Sequence, residues 1–295
     1  MDVGDYVVRK SYGKDVIFKI IDIKKNDDGS VTYILKGNSI RILADARVDD
    51  LEEVNNDFET DMDKMFNTRV NKVIKNAISR RGDGGKPPSI KKDRGGKSAK
   101  IVKKDNLVFG RPGKILHIDG DVDYLDNCLK VYKQLQLEAE GFAISESEQP
   151  IKILEIVKLV KPDIVVLTGH DGLFKHKGDY LDESSYRNSK FFIEAVKILR
   201  GYNSSYDELV IFAGACQSFY EGILDAGANY ASSPSRVLIH CLDPVFICEK
   251  VAYTGLDKVV AITEVIENTI TGIKGIGGLQ TRGKYREGYP KSQYI

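Results

Sequence analysis

Two short apolar runs constrain this chain more than any other feature. They are Asp163-Ile164-Val165-Val166-Leu167-Thr168-Gly169-His170 and Leu209-Val210-Ile211-Phe212-Ala213-Gly214-Ala215-Cys216-Gln217-Ser218, which set His170 and Cys216 46 residues apart. Neither run alternates apolar with polar, so neither can leave one face in water. Such a run reads as a strand buried on both faces, the situation of a parallel sheet covered by helices. Each closes on small residues and a reactive side chain, and open α/β sheets place their sites outside the carboxyl ends of strands. Because consecutive parallel strands are often neighbours, an imidazole and a thiol are brought to one crevice. That is the pairing a cysteine nucleophile needs.

Taken singly, each residue has a plainer reading. A free cysteine at the end of an apolar run is ordinarily a small core residue, the role expected of Cys128, Cys241 and Cys248. A strand-end histidine is ordinarily structural. What singles out His170 and Cys216 is their shared frame, with a glycine within two residues upstream of each, where the backbone can turn sharply.

The rest of the chain is organised around this unit. In residues 1–50, short β-prone runs (Tyr6–Val8, Val16–Ile21, Val31–Leu35, Ile40–Leu43) alternate with turn residues, a pattern that predicts a small antiparallel barrel of SH3-like size. Residues 51–111 begin with a helical stretch to Ile78 and continue rich in Gly, Pro and like charge, which predicts a basic flexible linker. Between Thr68 and Lys104 there are 13 basic residues against two Asp. No aromatics are interleaved for stacking on bases, so nucleic-acid binding is not expected. Gly96-Lys97-Ser98 lacks the upstream glycine of a phosphate-binding loop.

Residues 112–295 alternate strand and helix patterns. Lys114–Asp119 reads as a first strand. Leu125, Cys128, Leu129 and Tyr132 share one helix face, as do Ile153, Ile156, Val157 and Val160, and again Phe192, Ala195, Val196 and Leu199. A weaker strand falls near Phe142, and Val237–Leu242 reads as a last strand, followed by two helices to Thr271 and an irregular Gly-rich tail. The expectation is a mostly parallel sheet with flanking helices. An acidic start without an apolar leader, and no run of 18 apolar residues, predict synthesis in the cytoplasm. Four widely spaced cysteines suit neither a disulfide framework nor a zinc site.

The pair Ala215-Cys216 with a histidine 46 residues upstream resembles the caspase-like clan of cysteine peptidases, which includes clostripain, gingipain and legumain. Together, Val7-Val8-Arg9-Lys10-Ser11-Tyr12, His117-Ile118-Asp119-Gly120-Asp121, Thr168–Gly172, Phe212–Ser218 and Ala231–Arg236 resemble the YabG family, the sporulation-specific proteases of endospore formers. The resemblance implies a cofactor-free enzyme of the mother-cell cytoplasm, associated with the spore coat, that trims coat and germination proteins after basic residues. It makes Cys216 the nucleophile and His170 the general acid/base, with Gly172 and Cys216 N–H groups as oxyanion donors. Asp171, between His170 and Gly172, departs from the caspase pattern and leaves open which N–H serves and whether Asp171 orients the imidazole.

A basic P1 side chain needs a carboxylate partner. Asp119, Asp121 and Asp123, at the end of the first strand, are the candidates. They also open like a calcium loop, but Tyr124 and Lys130 stand where Gly and Glu belong, so no metal is expected. Arg80, Arg81 and Arg94 are candidate self-cleavage sites. Two rivals stand beside this reading: an amidotransferase-like hydrolase using Cys216 with His240 and Asp243, and a non-enzymatic scaffold that binds coat proteins.

Overall fold

The structure is a computed structural model that describes residues 1–55, 58–81, 108–174 and 179–292. The N-terminal strands are β1 (Tyr6–Arg9), β2 (Ile17–Lys25), β3 (Val31–Gly37), β4 (Leu43–Arg47) and β5 (Leu51–Glu53). They form one antiparallel sheet in the order β4-β3-β2-β1-β5. Here the expected SH3-like barrel needs correction. The register of β2 shifts between Ile20 and Asp22, which increases local twist, but the edge strands β4 and β5 do not pair and no closed barrel forms. A strand of three residues offers too few hydrogen bonds to seal both neighbours.

Helix α1 (Asp61–Arg81) follows, within the stretch expected to be linker, and its Val73, Ile74 and Ala77 are buried against the main core. Arg80 and Arg81 close this helix, while Arg94 and the rest of the basic stretch lie outside the described residues. The next elements are β6 (Phe109–Arg111), β7 (Ile115–Asp119), α2 (Val122–Gln134), β8 (Ala139–Ala143), α3 (Gln149–Val160), β9 (Ile164–Thr168), α4 (Ser189–Tyr202) and β10 (Val210–Ala213). The chain ends with α5 (Tyr220–Asp225), β11 (Tyr230–Ser232), α6 (Asp243–Ala252), β12 (Val259–Val260), α7 (Ile262–Glu267), β13 (Ile276–Gly278), β14 (Thr281–Arg282) and β15 (Arg286–Gly288).

Six strands make the main sheet, ordered β13-β11-β10-β9-β7-β8, parallel except for β13. Successive residues of its strands enter opposite cores, as the two-residue period requires. Ile115, Val166 and Phe212 pack on the face covered by α1, α2 and α6, whereas Leu116, Leu167 and Ile211 pack on the face covered by α3, α4 and α5. The expected mostly parallel sheet between helices is therefore present.

Two expectations at its edge are corrected. Val237–Leu242 is not a sheet strand; it makes a single bridge, from His240 to Ile40. The tail supplies β13 instead of an irregular end. Glycine reads as loop in a sequence, yet a Cβ at Gly278 would lie 2.3 Å from the Asn229 carbonyl oxygen, so only glycine lets this edge close on β11. No described helix is long and apolar enough to cross a membrane.

Candidate active site

The strand order fixes where ligands can enter. From β7 the chain passes to β8 on one side, then crosses back to β9 on the other, so the order reverses between β7 and β9. The crevice outside their carboxyl ends is the topological switch point. Asp119 to Asp123 leave β7 there, and His170 leaves β9. On β10, Ala213 is in register with Leu167 of β9. His170 and Cys216 each lie three residues beyond that pair, so both emerge at one level on neighbouring strands.

His170 is fixed from two sides. Its backbone N–H donates to Glu146 Oε1 at 2.6 Å, and glycines at 120 and 169 leave the room for that carboxylate. Its Nε2 meets Asp121 Oδ2 at 3.0 Å. The Tyr124 ring lies 5.7 Å from the imidazole, and Nδ1 is buried with no hydrogen-bond partner among the described residues. Asp121 caps α2 by accepting from the Asp123 and Tyr124 amides, and its Oδ1 also accepts from Lys36 at 3.2 Å. Burial acts to raise the Asp121 pKa, but the His170 bond and the Lys36 charge outweigh it and hold it at about 2. This carboxylate is thus an ionised partner of the imidazole.

Cys216 follows Gly214, whose φ of +109° turns the chain out of β10. The thiol is 1% exposed, and its Sγ accepts the Ile239 N–H at 3.1 Å. Burial pushes the thiol up to about 12, against the pull of that amide and of Arg41. Cys216 and His170 leave neighbouring strands but do not hydrogen-bond each other.

Asp171 does not orient the imidazole. It accepts from Gly172 N–H (2.8 Å), Asn188 N–H (2.8 Å), Ser189 Oγ (2.5 Å) and Ser218 Oγ (2.9 Å), and so ties the loop after β9 to the turn that carries Cys216. The Gly172 N–H expected in an oxyanion hole is engaged by that carboxylate.

The three aspartates expected to share one pocket are engaged differently, although Lys36 bridges two of them, Asp121 and Asp123. Asp119 is fully buried and bidentate to Arg41, at 3.0 and 2.6 Å. Asp121 holds His170, and Asp123, largely exposed, pairs with Lys36. His240 is not served by an acid: its Nδ1 accepts the Leu242 N–H, while Asp243 binds the His240 backbone N–H and the Thr271 hydroxyl. Burial, with Arg41 adding to it, lowers His240 to about 4.

Sequence reasoning missed Glu146, Arg41 and the pairing of Asp121 with His170. For the last, the sequence offered only the loop: Asp121 follows β7, the strand beside the one that carries His170, but Asp119, which closes β7, and Asp123 stand next to it.

An imidazole and its carboxylate at the switch point, with a thiol leaving the next strand, make a candidate site of the kind enzymes of open α/β fold carry. The comparisons give that class its family. A family model described as YabG peptidase U57 matches residues 2–290. The sporulation-specific protease YabG of Bacillus subtilis (strain 168) is 40% identical over 288 residues, 98% of this chain and 97% of that protein. The chain belongs to the YabG peptidase family, and the expectation of a sporulation protease holds at that level.

Proposed function

We propose that this chain is a caspase-like cysteine endopeptidase that cuts after arginine, with Cys216 as nucleophile and His170 as general acid/base. The observation that carries the reading is the common level of the two residues on adjacent parallel strands, with His170 Nε2 bonded to Asp121 and Nδ1 without a hydrogen-bond partner among the described residues. In the reaction, Nδ1 takes the thiol proton and Sγ attacks the scissile carbonyl carbon. The imidazolium, steadied by Asp121, then protonates the leaving amine. Water, deprotonated by His170, hydrolyses the thioester and restores the thiol. The oxyanion donors are the Cys216 and Gly172 N–H groups, the second released when Asp171 rotates away.

Residues 112–295 act as the peptidase domain, and of residues 51–111 those after β5 join it to the N-terminal sheet. Substrates are spore coat and germination proteins met in the mother cell at the coat. Arg80, Arg81 and Arg94 are the sites of self-cleavage.

The test is hydrolysis of a peptide series differing only at P1. Arg should be preferred over Leu and Asp, with activity lost in Cys216→Ala. A Cys216→Ala protein that still processes substrate overturns the assignment.

A further inference from the structure

The hairpin tip between β3 and β4 leaves its own sheet and crosses the carboxyl ends of the main one. There it pairs with the segment after β11. Arg41 N–H donates to Ile239 O at 3.4 Å, Cys241 N–H donates to Ser39 O at 3.0 Å, and Ile40 bridges His240 in antiparallel sense. Ile40 and Ile239 close over the Cys216 sulfur. The Arg41 side chain is wholly buried in the switch-point crevice. Both its terminal nitrogens meet Asp119, one also reaches Cys241 O at 3.5 Å, and the guanidinium carbon lies 5.0 Å from the Tyr124 ring. The Tyr124 hydroxyl shares its single proton between Gly37 O (2.5 Å) and Ile40 O (2.8 Å), and Lys36 holds Asp121, the partner of His170.

Taking an arginine and an aspartate wholly out of water carries a penalty that an apolar contact avoids. Mere attachment of the N-terminal sheet therefore does not explain this pair. Peptides bound by strand addition combine main-chain hydrogen bonds to an open edge with a pocket for one side chain, and the tip shows both beside the thiol. We propose that Ser39-Ile40-Arg41 is a tethered pseudo-substrate: it fills the subsites of a substrate's last three residues before the cut, with Asp119 as the carboxylate that selects a basic P1, and keeps the folded chain latent.

The inference rests on the cysteine-peptidase reading above. The tip escapes cleavage in this state because the backbone doubles back at Arg41. Ile42 N–H donates to Ile40 O at 2.8 Å and Gly37 N–H to Ile42 O at 2.9 Å, so the bond after Arg41 is not drawn out along the groove.

The test uses the full chain with Arg41→Ala. Two rates are read: cutting of a peptide with Arg at P1, and alkylation of each cysteine by iodoacetamide, resolved by peptide mapping. Removing the occupant should raise cutting at least about tenfold, as for a site freed from about 90% occupancy. Cys216 should alkylate faster by a similar factor while the core thiols Cys128 and Cys248 stay protected. The peptide Asn-Ser-Ile-Arg-Ile should inhibit the variant, and the same peptide with Ala for Arg should not. Adding Asp119→Asn should erase the preference for Arg over Leu.

Unchanged Cys216 alkylation and unchanged cutting, with Cys128 and Cys248 protected, overturn the proposal. Faster Cys216 alkylation with no hydrolysis upholds the cover and overturns the peptidase assignment instead. If all four thiols react alike, the variant has unfolded and wild type decides. A peptide argininal at full inhibition should then speed hydrogen exchange in residues 38–42, and no change there overturns the proposal.

Discussion

The two sheets of this chain are held together on opposite terms. The parallel sheet is covered by helices on both faces and feeds two extensive apolar cores. The N-terminal sheet has one core of six buried residues: Val7, Phe18, Ile20, Leu35, Ala46 and Leu51. So small a core is marginal by itself, and much of its remaining fastening is polar, through Arg41, Lys36 and the Tyr124 hydroxyl. The lesson is that the small sheet is positioned by the same strand ends at which the proposed chemistry of the large one sits. Substitutions there should act on docking and on catalysis together, and substitutions elsewhere in the small sheet on neither.

The largest effect should fall wholly within the large sheet. Cys216→Ala and His170→Ala should each lower kcat/KM by about four orders of magnitude or more, while His240→Ala stays within a few fold. Progress curves on an Arg peptide check this, and the reverse pattern would transfer the chemistry to His240.

Next comes the joint between the sheets. Asp119→Asn leaves Arg41 buried without its counter-charge and should destabilise the chain by about 3–5 kcal/mol, seen as a lower urea midpoint. The paired replacement Arg41→Met with Asp119→Leu should recover most of that loss. A midpoint that hardly moves with Asp119→Asn would mean the small sheet stands without its polar anchor.

Asp121→Asn should lower kcat by about a hundredfold, the lower end of general acid–base effects. It also has a pH signature. The folded pKa of Asp121, about 2, lies below that of an unfolded carboxylate, about 3.9. Its contribution to stability is therefore present above pH 4 and lost as pH falls from about 4 to about 2. Thermal unfolding followed across that interval should be flatter in the variant than in wild type.

The smallest effect belongs to the exposed pair Lys14–Glu52, in the small sheet but away from the joint. Lys14→Ala should change stability by less than about 1 kcal/mol, since such pairs are solvated and screened. A larger loss by chemical denaturation would show that the small sheet depends on its surface as well as on its docking.

How much of this could be read from the chain follows from the same contrast. Strands β7, β9 and β10 and helices α2 to α4 announce themselves, because burial on two faces or along one helical stripe leaves a pattern in the residues. Strand β11 is too short to show a period, and β13 is two-thirds glycine. Val237–Leu242 is apolar for another reason: its Ile239 covers Cys216 and Ile40 rather than a sheet face. The positions of His170 and Cys216 followed from strand ends, but the company of Asp121 did not, because three aspartates in one loop look alike until their partners are known. Arg41 was beyond reach. Between Ile40 and Ile42 it looks like the outward residue of an alternating strand, and only Asp119, 78 residues away, reverses that.

The covalent route from β5 through α1 to β7 gives the tip a consequence beyond its contacts. While the chain is whole, the tip meets its groove at an effective concentration of roughly millimolar order, however dilute the protein. A single cut along that route, as after Arg80 or Arg81, replaces this fixed local value with the bulk one. The severed piece, the small sheet with α1 and its apolar contacts to the main core, then remains in place only where bulk concentration exceeds its dissociation constant. A reversible, concentration-independent cover thereby becomes a one-way release timed by dilution.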